Sequence, residues 1–133
     1  ALYQLNTLFN GHNCNSAKQI HAFLSAPHEE IILLAQEKLS SIGFCCAQLC
    51  RSFCYNAPTG IISELYVLPE YRRQGIATAL LTAAEAELAR QGVCELQLCT
   101  GLENFPAQHL YASCGYSLAR ECVYQKQLPN ANV

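Results

Sequence analysis

Hydrophobic and polar residues recur along this chain with two periods, one typical of strands and the other typical of helices. Short apolar or alternating runs predict a hairpin of strands over residues 31–35 and 42–51, with its turn near Glu37 and Lys38. Further runs predict strands over residues 61–67, 94–100, 116–120 and 123–127. Because hairpins pair strands in antiparallel and strand-helix-strand connections pair them in parallel, we expect a mixed α/β sheet.

Helical spacing is clearest after the strand predicted at residues 61–67. Five apolar residues fall on one face there, namely Ala77, Leu80, Leu81, Ala84 and Leu88. Gln91 and Gly92 supply a C-terminal stop for this helix. Two further helical segments are predicted over residues 1–9 and 16–24. We expect the long helix to pack its apolar face on the sheet.

A proline and then a basic loop containing a glycine join strand 61–67 to the long helix. The sequence here is Leu65-Tyr66-Val67-Leu68-Pro69-Glu70-Tyr71-Arg72-Arg73-Gln74-Gly75-Ile76-Ala77. Gly75 and Ala77 have little or no side chain, so backbone N–H groups at the helix entrance can approach a ligand closely. Those amides lack partners within the first turn and carry the positive end of the helix dipole, which suits a pyrophosphate. Taken alone, Arg72 and Arg73 are better explained as a solvated turn.

A second motif follows one helix and one strand later, in the run from Asn104 to Tyr116. Asn104 is placed to cap a helix, and Pro106 is tolerated in a first turn. Gly115 ends the helix before an aromatic residue. Each motif is moderate evidence alone, whereas the two in this order, with the expected elements between them, support each other.

Together the two motifs resemble those of the GNAT superfamily of N-acetyltransferases, which use acetyl-CoA. The family's acyl-CoA motif is an arginine or glutamine, two variable residues, a glycine, one variable residue and a glycine or alanine. Arg72, Gly75 and Ala77 match it. The family's second motif has an asparagine near the start of a helix and a tyrosine further along, and these are matched by Asn104 and Tyr111.

The resemblance runs from about residue 31 to residue 128 and implies the GNAT fold in a single domain of residues 1–133. In that fold helices flank a mixed central sheet, and the strand at residues 61–67 splays from its parallel neighbour at 94–100. The pantetheine arm of the cofactor lies in the gap. The implied cofactor-binding residues are Leu65, Tyr66, Val67, Arg72, Arg73, Gln74, Gly75, Ile76, Ala77 and Asn104.

The chemistry that the resemblance implies is direct attack of an amine on the thioester of acetyl-CoA. Tyr111 matches the family's general acid by position, and its alternative role is that of a core aromatic residue. Glu64 is the best candidate for the general base, while a carboxylate that only orients the substrate is an equally good interpretation. His109 and Glu103 are weaker candidates near the second motif.

An N-acetyltransferase acting on a small-molecule primary amine is the leading hypothesis, since nothing in the sequence marks a peptide groove. Acetylation of a protein N-terminus or lysine is the second hypothesis, because the same fold and motifs serve it. A non-catalytic acyl-CoA-binding module is the third, and the presence of both Asn104 and Tyr111 counts against it.

Composition narrows the class of partner. The net charge is −2, so the chain lacks the broad positive field of a nucleic-acid-binding protein. No apolar run approaches the roughly twenty residues that span a bilayer, and the first residues show no signal-peptide pattern, so we expect a cytoplasmic protein without a membrane partner.

The chain contains nine cysteines, and their spacing does not fit a metal site or a disulfide framework. We expect no metal, and we expect most of these residues to be small apolar core residues. Cys46, Cys50 and Cys54 would share one face if their segment is a continuous strand.

The sequence begins in what reads as the first helix, whereas GNAT domains usually begin with a strand. We therefore expect that first strand to be absent. Processing, shortening of the sequence, or completion of the sheet by the partner chain of a homodimer would each explain this, and the sequence does not choose between them.

Overall fold

The computed structural model describes Gln4, Leu5, Thr7, residues 15–26 and residues 29–130. The helices of this part are α1 (Ala17–Ser25), α2 (Ile76–Arg90) and α3 (Phe105–Ser113). Its strands are β1 (Glu30–Glu37), β2 (Ser40–Cys50), β3 (Thr59–Val67) and β4 (Glu95–Leu98), and a 3-10 turn spans Pro69–Tyr71. Most of the helix expected over residues 1–9 lies outside the described residues, and Cys14 lies outside them as well. No helix among the described residues is long and apolar enough to cross a bilayer.

The chain divides into two compact units, Ala1–Gly101 and Leu102–Val133. The first unit contains α1, the four strands and α2, and the second contains α3. In the first unit the strand order is β1-β2-β3-β4, antiparallel between β1, β2 and β3 and parallel between β3 and β4. The mixed α/β sheet expected from the sequence is therefore confirmed.

One face of the sheet is covered by α2, which contacts β1, β2 and β3. The helix buries four of the residues that its sequence pattern placed on one face, namely Leu80, Leu81, Ala84 and Leu88. Gly60 of β3 lets this layer approach closely, because a Cβ there would lie 2.5 Å from Leu96 Cδ2 and 3.2 Å from Leu88 Cδ1. The helix ends at Arg90, where Gly92 adopts the left-handed conformation that the predicted stop requires.

The opposite face of the sheet carries a second apolar cluster. Leu5, in a helical conformation, is buried there with Phe44 and Cys46 of β2. Ile32, Tyr66 and Leu68 are partly buried against them. The sheet is therefore packed on both faces, and β3 contributes residues to each of them.

A β-bulge in the middle of β3 decides which residues face each layer. Cys46 is opposite Glu64, but the next residue of β2, Ala47, is opposite Ile62. Ser63 is therefore an extra residue in β3, and its hydroxyl donates a hydrogen bond to the Cys46 carbonyl at 3.2 Å. Because of this insertion, Ile62 faces α2 while Glu64 faces the second cluster.

Two sequence predictions about strands are wrong, and a third predicted strand is too long. Residues 116–120 and 123–127 form no strand, and Leu118, Val123 and Tyr124 in this segment are largely exposed. Their alternation fits a strand, but a strand is stabilised by cross-strand pairs and by burial of one face, and these two segments have neither. The strand expected at 94–100 is also shorter, because β4 covers only Glu95–Leu98.

The expectation that most cysteines lie in the core is wrong as well. Of the eight described cysteines, all with free thiols, five are exposed, namely Cys50, Cys54, Cys94, Cys99 and Cys122. The reason is that β2 ends at Cys50, so that Cys46, Cys50 and Cys54 do not share one continuous strand, and β4 ends before Cys99. Only Cys45 and Cys46 are fully buried, and burial raises the pKa of these thiols to about 11 and about 12.

Candidate functional site

The chain leaves β3 through a short, hydrogen-bonded turn. Leu68 N–H still donates to the Ile42 carbonyl at 2.8 Å, so the sheet supports the chain up to this residue. Tyr71 N–H then donates to the Leu68 carbonyl at 2.9 Å, and Arg72 N–H donates to the Pro69 carbonyl at 3.3 Å. The turn therefore fixes the start of the basic loop relative to the end of β3.

Two residues of the basic loop adopt left-handed backbone conformations. Arg73 has φ 61° and Gly75 has φ 81°. A left-handed conformation costs an L-residue such as Arg73 about 1–2 kcal/mol, whereas glycine adopts it without that cost. A Cβ at Gly75 would meet no atom within 4 Å, so conformation rather than space favours glycine there.

Gly75 is the N-cap of α2, and its carbonyl accepts the first helical hydrogen bond, from Ala79 N–H at 3.0 Å. No side chain of the described residues caps this end of the helix. The first backbone amides of α2 therefore carry the positive end of the helix dipole beside an exposed glycine. This geometry can bind an anion such as a pyrophosphate.

Arg72 ties the basic loop back to the end of β3. Its Nε donates to the Val67 carbonyl at 2.8 Å, and its Cζ lies 5.5 Å from the centroid of the Tyr66 ring. The neighbouring Arg73 and Gln74 are exposed. Arg72 therefore joins two parts of the predicted cofactor site, the strand end and the loop.

The parallel pairing of β3 with β4 ends in the middle of β3. The last pair in this ladder is Ile62 with Leu98, whereas pairing with β2 continues to Val67 opposite Gly43. The ladder stops directly before the bulge residue, Ser63. Residues 63–67 of β3, which include the predicted cofactor contacts Leu65, Tyr66 and Val67, thus extend beyond the β4 ladder.

Glu64 lies in this extension of β3, opposite Cys46, and is half-buried. Burial raises the pKa of its carboxyl, and the negative charge of Glu30 on β1 raises it further. A carboxylate with a raised pKa, next to a strand segment that has lost one neighbour, is suited to accept a proton.

The second predicted motif lies in the second unit, around α3. Asn104 caps the helix as expected, with its Oδ1 accepting a hydrogen bond from Ala107 N–H at 3.3 Å. Tyr111 is half-buried, and its ring packs edge-on against Tyr116 with 6.0 Å between centroids. The Tyr111 carbonyl accepts hydrogen bonds from the N–H groups of Cys114 and Tyr116. Gly115 has φ 90°, as its position after the helix requires.

The structure brings together the predicted residues of β3 and the basic loop within the first unit. Asn104 and Tyr111 belong to the second unit, as do the weaker candidates Glu103 and His109, which are both exposed. Among the described residues no group of His, Cys, Asp and Glu side chains could hold a metal ion.

Sequence reasoning missed Glu30, the charged neighbour of Glu64. Its signal is weak, since it is one carboxylate at the start of an apolar strand, and a second glutamate, Glu29, precedes it. Only the register of the three strands reveals that Glu30 and Glu64 share a face.

Sequence comparison relates the chain to known acetyltransferases. Residues 1–116 match the acetyltransferase (GNAT) family. The chain is 36% identical over 100 residues to the uncharacterized N-acetyltransferase YhfO of Bacillus subtilis (strain 168), covering 71% of this chain and 66% of that protein. It is 31% identical over 68 residues to aminoglycoside N(6')-acetyltransferase type 1 of Acinetobacter haemolyticus, covering 51% of this chain and 47% of that protein. The chain thus spans about half to two thirds of the length of these curated relatives.

Structural comparison agrees with the sequence. A solved structure of AAC(6')-Iy in complex with the bisubstrate analog CoA-S-monomethyl-acetylneamine aligns with a TM-score of 0.77 at 24% identity, over 96% of this chain and 90% of that chain. This likeness shows a shared fold. Because the family match extends over residues 1–116 of 133, the chain belongs to the acetyltransferase (GNAT) family.

Proposed function

We propose that this protein transfers the acetyl group of acetyl-CoA to a primary amine of a small-molecule acceptor. The observation that carries the proposal is the conjunction, within a GNAT family member, of an uncapped helix entrance at Gly75 and a strand that extends beyond its parallel neighbour from Ser63. The first suits the pyrophosphate of the cofactor and the second suits its pantetheine arm.

In the proposed complex the pyrophosphate contacts the backbone amides of residues 72–77. Gly75 supports this placement because its left-handed conformation ends the loop where the uncapped amides of α2 begin. The pantetheine arm runs along residues 65–67 of β3, and the amide of Asn104 contributes from the second motif. Arg72, already hydrogen-bonded to the end of β3, orients the loop towards the cofactor.

Proton transfers at the acceptor nitrogen and at the CoA sulfur accompany the acetyl transfer. The acceptor amine, an ammonium with a pKa of about 10, must lose a proton before its nitrogen attacks the thioester carbonyl. Glu64 takes that proton, directly or through a water molecule, and its raised pKa makes it a stronger base than an ordinary carboxylate. The departing thiolate of CoA gains a proton from Tyr111, and the Tyr111 phenolate then takes the second proton that the nitrogen must lose to form the neutral amide.

The names of the relatives support a small-molecule acceptor. One of them is an aminoglycoside N(6')-acetyltransferase, and the solved structure holds an analog of CoA joined to acetylneamine. The half-buried carboxyls of Glu30 and Glu64 on one face of the sheet would favour an acceptor with positive charge.

A screen of primary amines tests the proposal, with mass spectrometry of the acceptor as the readout. Thiol reagents are unsuitable because the five exposed cysteines of the protein would react with them. We expect at least one polyamine or aminosugar to gain a single acetyl group with acetyl-CoA and none with CoA. Acetylation confined to protein lysines or N-termini would contradict the small-molecule assignment.

Tyr111→Phe tests the acid within the same assay. Loss of the hydroxyl should lower kcat by roughly a hundred-fold to ten-thousand-fold, the range of a lost general acid, and leave acetyl-CoA affinity unchanged. Tyr116→Phe is a matched control, because it removes a hydroxyl from the ring that packs against Tyr111. Equal rates for wild type and Tyr111→Phe, with chemistry rate-limiting, would return Tyr111 to a structural role.

A further inference from the structure

Glu30 and Glu64 lie on one face of the sheet, on two strands that are separated only by β2. Cys46 of β2 is directly opposite Glu64. Glu30 is opposite Gln48, two residues along β2 from Cys46. Because residues two apart in a strand share a face, Glu30 is a diagonal neighbour of Cys46. The side chain of Cys46 therefore stands between the two carboxylates.

Cys46 separates these carboxylates without neutralising them. Its side chain is small and only 7% exposed. The thiol remains neutral because burial, followed by the charges of Glu30 and Glu64, raises its pKa to about 12. The ion pair found among the described residues joins Glu87 to Arg90, so no described cation pairs with Glu30 or Glu64.

Two other charged side chains, Arg72 and Glu85, interact with residues other than Glu64. Arg72, which follows β3, is held by the Val67 carbonyl and the Tyr66 ring. From α2, which covers the opposite face, Glu85 acts on Cys45. The titratable groups of β1 and β2 that share this face with Glu64 are therefore Glu30 and Cys46.

We propose that Glu30 is a positioning residue that makes Glu64 a stronger base, acting across the neutral thiol of Cys46. The proposal rests on the proposed function, in which Glu64 takes a proton from the acceptor amine. Two carboxylates that share a partly buried face repel each other when both are ionised, so Glu64 holds a proton to a higher pH. A base whose pKa approaches the working pH transfers a proton more effectively.

Carbon-13 NMR titration of the glutamate carboxyls tests the coupling without any substrate. The Glu64 resonance is assigned by its loss in Glu64→Gln. In Glu30→Gln, which keeps the volume and removes the charge, we expect the titration midpoint of Glu64 to move to lower pH. Glu30→Asp, which keeps the charge, should leave the midpoint closer to wild type. Glu29→Gln removes the same charge from an exposed neighbour and should leave it unchanged.

The pH dependence of kcat/KM for an identified acceptor gives the second readout. Activity should rise with pH as the base ionises, and in Glu30→Gln this rise should occur at lower pH than in wild type. A purely structural role would lower the rate at every pH without moving the rise, and that result would overturn the proposal. An unchanged Glu64 midpoint in Glu30→Gln would overturn it whatever the activity. A shifted midpoint in a protein that acetylates no amine would support the coupling and contradict the proposed function.

Discussion

The two halves of β3 have different surroundings, although they belong to one strand. Residues 59–62 pair with β2 on one side and β4 on the other, and α2 packs over Gly60. Residues 63–67 continue the ladder with β2 after the ladder with β4 has ended, and they contain Glu64. The first half is scaffold and the second half is the candidate site. The inserted residue, Ser63, marks the change from one to the other.

The one extra residue in β3, Ser63, has two consequences. A bulge at Ser63 turns the following side chains over, so that Glu64 points away from α2. The same position ends the parallel ladder, so residues 63–67 have no strand partner on the β4 side. We therefore expect substitutions around the first half to cost stability and substitutions in the second half to cost activity.

The largest expected effect concerns Glu64. Glu64→Gln keeps the volume of the side chain and removes its ability to take a proton, so kcat should fall by roughly a hundred-fold to ten-thousand-fold. Circular dichroism and acetyl-CoA affinity should match wild type. Glu95→Gln on β4 is the control, since that carboxyl is exposed beside the first half of β3. If Glu64→Gln turned over at the wild-type rate, Glu64 would not be the general base.

Truncation of a core side chain beside residues 59–62 of β3 should lower stability and leave activity unchanged. Leu88 is fully buried, and its Cδ1 would lie 3.2 Å from a Cβ at Gly60. Leu88→Ala should therefore lower the free energy of unfolding by about 2–5 kcal/mol, while kcat of the folded fraction stays close to wild type. Denaturant melts measure this. Ala89, the exposed neighbour of Leu88, offers a control. Ala89→Ser should lower the free energy of unfolding by well under half of the loss in Leu88→Ala.

A smaller effect is expected where the loop enters α2. Gly75→Ala places a side chain on a residue with φ 81° in otherwise open space, so its cost is conformational, about 1–2 kcal/mol. If the loop relaxes to avoid that strain, acetyl-CoA affinity should fall by about 5-fold to 30-fold in calorimetry. Gly75→Asn should lose less, because asparagine tolerates this conformation. Equal losses in both variants would show that side-chain bulk decides binding.

The smallest expected effect is the dependence of stability on pH. Since the pKa of Glu64 is raised in the folded state, its ionisation on the folded protein costs stability. The protein is therefore expected to lose stability as pH rises from the unfolded pKa of about 4.3 through the folded pKa. Glu64→Gln removes this loss, so its Tm should exceed that of wild type at neutral pH and converge with it below pH 4. A constant difference across that range would contradict the pKa shift.

The sequence predicts the local features of the site well. Gly75 and Gly115 adopt the left-handed conformations that their positions after a loop and a helix require, and Asn104 caps its helix. These features depend on a few consecutive residues, so local chemistry determines them. The apolar face of α2 is also predicted, because helical spacing and burial agree there.

Features that depend on pairing between distant residues could not be predicted. The bulge at Ser63 and the proximity of Glu30 to Glu64 follow from strand register, which no local pattern records. The same reason explains the failed strands at residues 116–120 and 123–127. Their alternation satisfies the strand pattern, but a strand also needs a neighbour.

A titration of the nitrogen-15-labelled protein with acetyl-CoA tests the central claim most directly, by mapping which backbone amides respond. We expect the largest shifts at residues 63–67 of β3 and at residues 72–77 of the loop and helix entrance. Residues 59–62 of the same strand should change little. Shifts that are centred on residues 59–62, or that leave residues 72–77 unaffected, would contradict the division of β3 into a scaffold half and a site half.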